Sequence, residues 1–296
     1  MTLVEWGALP AAALTPLYER EQSRWRTALG WDTASSWATI ESARTGWGLP
    51  GFACCDASGT IRGWTYFMRQ GDRGEHVDIG GLVADTPDVT AALLDRAIDP
   101  STRRVSGFLY ATAPGLHQAL AERAISIERF SYLTRPTNRV PFERSAPCLR
   151  RWRAQDLDRT ASLLQSAYGP SGRLFAPDNS LGEWRAYVQN LFTYSGCGVL
   201  RPDLSRVVEA NGYFAALALV TSLASDTAHL AQLAVSPDFR RSGLGRTLVA
   251  DTLRSAHAAG YREMSLLVAN SNSAACRLYC NWGFAERGEF LAIRSG

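Results

Sequence analysis

Two periodicities take turns along this chain. Residues 10–20 and 34–44 place apolar side chains three and four positions apart, the spacing of helices with one buried face. Three shorter runs follow: Gly51 to Cys55, Thr60 to Arg69 and Glu75 to Ala84. They are closed by Asp56-Ala-Ser-Gly59, Gly71-Asp-Arg-Gly74 and Asp85-Thr-Pro87. Short Gly/Asp-rich turns between such runs predict an antiparallel meander. Ala91, Leu94 and Ile98 then predict a helix, Val105 to Ala111 a strand, and Gly115 to Ala124 a helix. Pro136, Pro141 and Pro147 among polar residues predict a linker over 134–147.

Beyond the linker the pattern recurs. Cys148 to Arg153 reads as a short strand, and Leu157, Ala161 and Leu164 mark a helix. Ser180-Leu-Gly-Glu183 fits a capping box for a helix carrying Trp184, Val188 and Leu191. Arg206 to Ala210 and Tyr213 to Thr221 flank Asn211-Gly212, a two-residue hairpin signal. Ser225-Asp226 turns into an apolar strand from His229 to Val235. A helix with Leu244, Leu248, Leu253 and Ala256 on one side and a strand at Met264 to Val268 come next. Three strands, helix, strand, helix therefore occurs twice. His76-Val-Asp-Ile-Gly-Gly-Leu-Val-Ala-Asp85 parallels His229-Leu-Ala-Gln-Leu-Ala-Val-Ser-Pro-Asp238, with His and Asp nine apart in both. This predicts an internal duplication.

The copies differ after that strand. The second continues as Asp238-Phe-Arg-Arg241-Ser-Gly243-Leu-Gly245-Arg246 into a helix; the first has only Thr-Pro-Asp-Val. A basic, glycine-containing loop opening a helix gathers backbone N–H groups at the positive end of the helix dipole, a site suited to phosphate. A solvated helix start gives the same residues, and the spacing is neither that of a P-loop nor of a dinucleotide fingerprint.

Arg240-x-x-Gly243-x-Gly245 after Leu-Ala-Val-x-Pro resembles the acyl-CoA pyrophosphate loop of the GNAT N-acetyltransferase superfamily. Asn272-x-x-Ala275-x-x-Leu278-Tyr279 with Trp282-Gly283-Phe284 is similar to a second signature of that family. The resemblance covers about residues 148–296. It implies an α/β fold of the α+β type: two tandem GNAT-like domains, each a mixed, largely antiparallel sheet flanked by helices. Residues 1–140 would form a degenerate copy and 141–296 the acetyl-CoA-binding catalytic domain.

The same resemblance implies roles. Arg240, Arg241, Ser242, Gly243, Leu244, Gly245 and Arg246 would hold the pyrophosphate. Backbone groups of Leu233, Ala234 and Val235 would bond the thioester carbonyl, and Asn272 would support the cofactor arm. Tyr279 stands at the general-acid position for the leaving thiolate. His229 is the candidate base, since an imidazole with a pKa of about 6.5 suits proton transfer near neutrality; a hydrogen-bonded sheet histidine is the other reading. Asp226 and Glu209 are weaker alternatives, and His117 and His257 read as surface or structural. The implied reaction is direct acetyl transfer from acetyl-CoA to a primary amine, on a small molecule or a peptide. A non-catalytic acyl-CoA-binding or sensing module is the alternative.

Composition narrows the picture. The 296 residues carry a net charge of +3, giving no broad electrostatic case for nucleic acid or an anionic membrane. There is no lysine; every Lys/Arg position is arginine. Six cysteines include no Cys-x-x-Cys, and no His or acidic cluster completes a metal site around Cys276 and Cys280. No signal peptide or bilayer-spanning run is apparent, so the expectation is a cytoplasmic, metal-free monomer or homodimer.

Overall fold

A computed structural model of the chain describes residues 1–71, 74–140, 149–169, 176, 179–193, 197–210 and 212–295. The first half runs β1 (Thr2–Glu5), α1 (Ala11–Leu29), α2 (Ala34–Gly46), β2 (Gly51–Cys55), β3 (Ile61–Gln70), β4 (His76–Ala84), α3 (Pro87–Ala97), β5 (Arg104–Tyr110), α4 (Leu116–Glu122) and β6 (Ser126–Pro136). The second runs β7 (Leu149–Arg151), α5 (Leu157–Tyr168), α6 (Leu181–Thr193), β8 (Val199–Leu200), β9 (Arg206–Ala210), β10 (Tyr213–Ser222), β11 (Thr227–Val235), α7 (Leu244–Ala258), β12 (Glu263–Ala269), α8 (Ser273–Asn281) and β13 (Ala285–Ser295).

The two halves share one sheet, ordered β1-β2-β3-β4-β5-β13-β6-β12-β11-β10-β9-β7, with β8 on β10. Among the described residues only β4–β5 and β11–β12 pair in parallel. The fold is the mixed, largely antiparallel α/β architecture expected. The last strands are exchanged between the halves. β6 pairs with β12, and β13 lies between β5 and β6. Thr134–Pro136, expected in the linker, is the end of β6 and pairs with Glu263–Ser265. Thr137 continues the attachment, its hydroxyl donating to the Tyr261 carbonyl at 2.6 Å. Pro141, Pro147 and Cys148 lie outside the described residues, as do Asp72, Arg73 and Asn211 of two expected turns.

Helices cover both faces. α7 and α8 enclose one apolar cluster with β10–β12; α5 and α6 enclose another on the opposite face. β10 is buried from Phe214 to Thr221, and alanines 215, 216 and 218 let helices approach from both sides. The capping box at α6 forms as read: Ser180 Oγ accepts from Glu183 N at 3.2 Å and Glu183 Oε2 from Ser180 N at 3.3 Å. At the centre, the end of α1 reaches the second half. Leu29 and Trp31 pack with Tyr132, Leu223 and Phe290, and Tyr132 donates its hydroxyl to the Leu29 carbonyl at 3.0 Å.

The strand geometry supports duplication and corrects the residue match. β4 and β11 are both nine residues long. Each pairs in parallel through its first four residues, His76–Ile79 with Arg104–Gly107 and Thr227–Leu230 with Glu263–Leu266. In each the ladder to the preceding strand skips the fifth residue, Gly80 or Ala231. Position by position, His229 therefore corresponds to Asp78, not His76, and the shared His–Asp spacing is a coincidence two residues out of register.

Candidate functional site

The bulge at Ala231 decides what β11 presents. An extra residue flips the alternation of side chains beyond it. Ala228 and Leu230 before it, and Leu233 and Val235 after it, pack in the cluster under α7 and α8. His229, Gln232 and Ala234 take the opposite face. The parallel ladder to β12 stops at Leu230–Leu266, although β11 runs on to Val235 and β12 to Ala269, with β6 paired along the whole of β12's other edge. A wedge opens between the two strands, and the β12-facing edge of Leu233–Val235 has no strand partner among the described residues.

At the mouth of this wedge α7 begins. Gly243, its N-cap, has φ +86°, a left-handed conformation that suits glycine. Arg241 is also left-handed, at φ +62°. No side chain caps the helix and its first turn holds no acid, so the N–H groups of the first turn stay without a side-chain acceptor. Arg241, Ser242, Gly243 and Arg246 are exposed around them. A methyl on Gly245 would stand 3.5 Å from Leu278 Cδ2, which brings α8 against this helix start. Arg240 is committed elsewhere: its Nη2 donates to the Ala167 carbonyl at 2.7 Å, tying the loop to the end of α5. A 15-residue helix with such a bare N-terminus is suited to an anion.

The first half has no such seat. Thr86 Oγ1 accepts from Val89 N at 3.4 Å, Pro87 opens α3, and Asp88 stands in its first turn. Pro114 and Gly115 lie against it: the Pro114 carbonyl accepts from Thr90 Oγ1 at 2.7 Å, and a Cβ on Gly115 would meet Pro87 Cβ at 2.8 Å.

Tyr279 is buried on α8, edge-on to Phe284 with ring centroids 5.7 Å apart. Burial pushes its phenol well above the ordinary range, so the hydroxyl keeps its proton. That hydroxyl makes no hydrogen bond among the described residues. Asn272 Oδ1 accepts from Ala275 N at 3.1 Å and caps α8.

The arrangement of His229 argues against the general-base role. It is 3% exposed, with Nδ1 at 2.9 Å from Ser265 Oγ and its ring alongside Trp31 and Tyr132. Burial lowers its pKa to about 4. A buried, hydrogen-bonded imidazole has no open path to a substrate amine. The pKa carries a stability prediction. The folded value lies below the unfolded one of about 6.5, so the unfolded chain binds the extra proton between them. Stability is unaffected above about pH 6.5 and falls as pH drops toward about 4, by up to about 3 kcal/mol. Thermal melts should show this slope in the wild type and a shallower one in His229→Gln; equal slopes would rule it out.

The alternatives fare no better. Glu209 is held as an anion by Arg150 and Arg159, whose hydrogen bonds and charges keep its carboxyl below the usual range. Asp226 precedes β11, at the end remote from the wedge, and its backbone carbonyl accepts from Arg262 and Glu263. One group escaped the sequence reading. Tyr168 donates to Gln232 Oε1 at 2.5 Å, and Gln232 Nε2 donates to Tyr187 at 2.6 Å, on the face opposite α7. The signal was a lone glutamine in an otherwise apolar run.

Residues 165–284 match the Acetyltransferase (GNAT) family. A 76-residue stretch, 26% of this chain, is 41% identical to the [ribosomal protein bS18]-alanine N-acetyltransferase of Escherichia coli (strain K12). The Salmonella typhimurium protein of the same name is 40% identical over 67 residues. The chain spans about half the length of these curated relatives, 51% and 45%. In fold, the chain is similar over 99% of its length, and 95% of the other, to a GCN5-related N-acetyltransferase from Sphaerobacter thermophilus, with TM-score 0.68 and 16% identity. A tandem GNAT protein from the clavulanic acid biosynthesis pathway aligns over 83% of this chain and 82% of its own, with TM-score 0.56 and 14% identity. Residues 165–284 thus carry the match to the GNAT family, and the whole chain is similar in fold to GNAT proteins.

Proposed function

We propose that the second half moves an acetyl group from acetyl-CoA to a primary amine. The observation that carries this is the bare, acid-free N-terminus of α7 at the mouth of the β11–β12 wedge. The first-turn N–H groups of α7, with Arg241 and Arg246 beside them, hold the pyrophosphate. The unpaired edge of Leu233–Val235 orients the thioester carbonyl and stabilises the charge that develops on its oxygen. The ammonium first gives one proton to water, since His229 is shut away, and the neutral nitrogen then bonds the acetyl carbon. As the C–S bond breaks, Tyr279 gives its proton to the departing thiolate, the acylated nitrogen releases its second proton to solvent, and Tyr279 is reprotonated from solvent.

The amines open to it include an alanine amine of a protein, as the name of the Escherichia coli relative has it, and small molecules. Tyr279→Phe should lower kcat by about 100-fold with acetyl-CoA affinity within about twofold of wild type. Release of free CoA in the presence of an amine panel is the measurement, and an unchanged kcat would remove Tyr279 from the reaction.

The burial of His229 favours a second reading, an acyl-CoA-binding module without turnover. Acetyl-CoA binding with no CoA release across the amine panel would select it. No binding to the folded wild type would overturn both readings.

A further inference from the structure

The wedge between β11 and β12 has a direction. Its apex is the last parallel pair, Leu230–Leu266, and α7 starts at its mouth beyond Val235. A cofactor with its pyrophosphate on α7 enters past Val235 and points its thioester toward the apex, beside Leu233 and Gln232. Side chains at that end decide which acyl groups fit. Three observations describe them.

First, the end is closed by a fixed polar chain. Gln232 is buried, and its amide is bonded at both ends: Oε1 accepts from the Tyr168 hydroxyl at 2.5 Å, and Nε2 donates to the Tyr187 hydroxyl at 2.6 Å. Burial raises both phenols, so both keep their protons and the chain is uncharged. The buried indole of Trp184 backs it, stacked on Tyr168 with ring centroids 5.4 Å apart and edge-on to Tyr187 at 5.9 Å. Swinging the amide aside would leave buried polar groups unpaired.

Second, this chain stands across the sheet from Tyr279. Tyr168 packs in the cluster under α5 and α6, Tyr279 in the cluster under α7 and α8. Next to burial, the Tyr168 phenol is what raises the Tyr279 phenol, so the two stand near one another. The other edge of β11 stays bonded to β10 as far as Ala216–Val235. Among the described residues the wedge is therefore the opening that joins the two faces.

Third, the chain is tied to the phosphate seat and is missing where that seat is missing. The carbonyl of Ala167, next to Tyr168, accepts from Arg240 Nη2 at 2.7 Å, which holds the end of α5 to the α7 loop. In the first half the residue after the skipped position is Gly81, where the second half has Gln232. It carries no side chain, and the Tyr66 ring fills the space, 2.5 Å from where a Cβ would stand.

We infer that Tyr168, Gln232 and Tyr187 form the wall that ends the acyl pocket and restricts the donor to short acyl groups such as acetyl. This rests on the acetyl-CoA reading and adds to it the feature that selects the acyl group.

Titration calorimetry with CoA, acetyl-CoA and hexanoyl-CoA tests it without any amine. Free CoA, which carries no acyl group, reports general damage to the site. The wild type should bind acetyl-CoA at least about tenfold more tightly than hexanoyl-CoA, or about 1.4 kcal/mol. In Tyr168→Ala and in Gln232→Ala that gap should shrink to about twofold or reverse. A purely structural role would weaken both ligands together and leave their ratio as it is. Equal binding of acetyl-CoA and hexanoyl-CoA by the wild type would overturn the wall and leave the acetyl-CoA reading standing. So would a folded variant that keeps the wild-type ratio. Failure of CoA and acetyl-CoA alike to bind the folded wild type would overturn the acetyl-CoA reading, and the wall with it. The wild-type comparison needs no variant, so a misfolded variant leaves the inference open to refutation.

Discussion

A chain ended after Phe284 should lose cooperative folding in both halves, although it keeps every residue of the α7 and α8 site. β13 is an interior strand, paired on one side with β5 and on the other with β6. Removing it leaves the first half's β5 and the second half's neighbour β6 as open edges in the middle of the sheet. It also takes Phe290, Leu291 and Ile293 out of the clusters they fill. Emptying one large buried apolar position costs about 2–5 kcal/mol, against a total stability of about 5–15 kcal/mol for a typical domain. Three such losses, with two ladders broken, exceed what the remainder can offset. Circular dichroism melts and limited proteolysis read the outcome. The exchange also predicts that 1–140 and 141–296 expressed separately fail to fold, and that co-expression restores the full-length melt. A truncated chain melting like the intact protein would show that the exchanged strand is dispensable.

Gly243→Glu with Gly245→Glu should reduce acetyl-CoA affinity by at least about 100-fold while leaving the fold intact. A Cβ on Gly243 meets nothing within 4 Å, and one on Gly245 makes only ordinary contact with Leu278. Packing therefore tolerates the change. The left-handed φ of +86° at Gly243 adds a local cost of about 1–2 kcal/mol. The electrostatic effect is larger: two carboxylates at a helix N-terminus occupy the N–H groups that the pyrophosphate needs and repel its charge. Titration calorimetry measures the affinity and a thermal melt the fold. An intact variant that still binds acetyl-CoA like the wild type would move the cofactor away from α7. The corresponding end of α3, already capped by Thr86 and closed by Pro114 and Gly115, supplies the internal control. Asp88→Asn there should leave acetyl-CoA binding unchanged.

What the sequence determined by itself was local. Helices with a strong apolar stripe, the capping box at Ser180–Glu183 and the strand–loop–helix around Gly243 depend on neighbours within a few residues, and so they were legible. The difference between the two helix starts was legible for the same reason: Thr86-Pro-Asp88 caps and charges its own N-terminus, whereas Ser242-Gly-Leu-Gly245 cannot.

Tertiary structure decided the rest. β6 and β13 carry charged residues along much of their length and pair with strands distant in sequence, so no local pattern announced the exchange. The bulge at Ala231 is set by the ladder with β10, and it alone fixes that His229 and Gln232 share a face. The role of His229 turned on burial: Trp31 arrives from the first half, about 200 residues away in sequence, and converts a plausible base into an enclosed imidazole. Spacing along a chain specifies elements and caps; which side chains meet water, and which meet one another, follows from pairing between strands that the sequence keeps far apart.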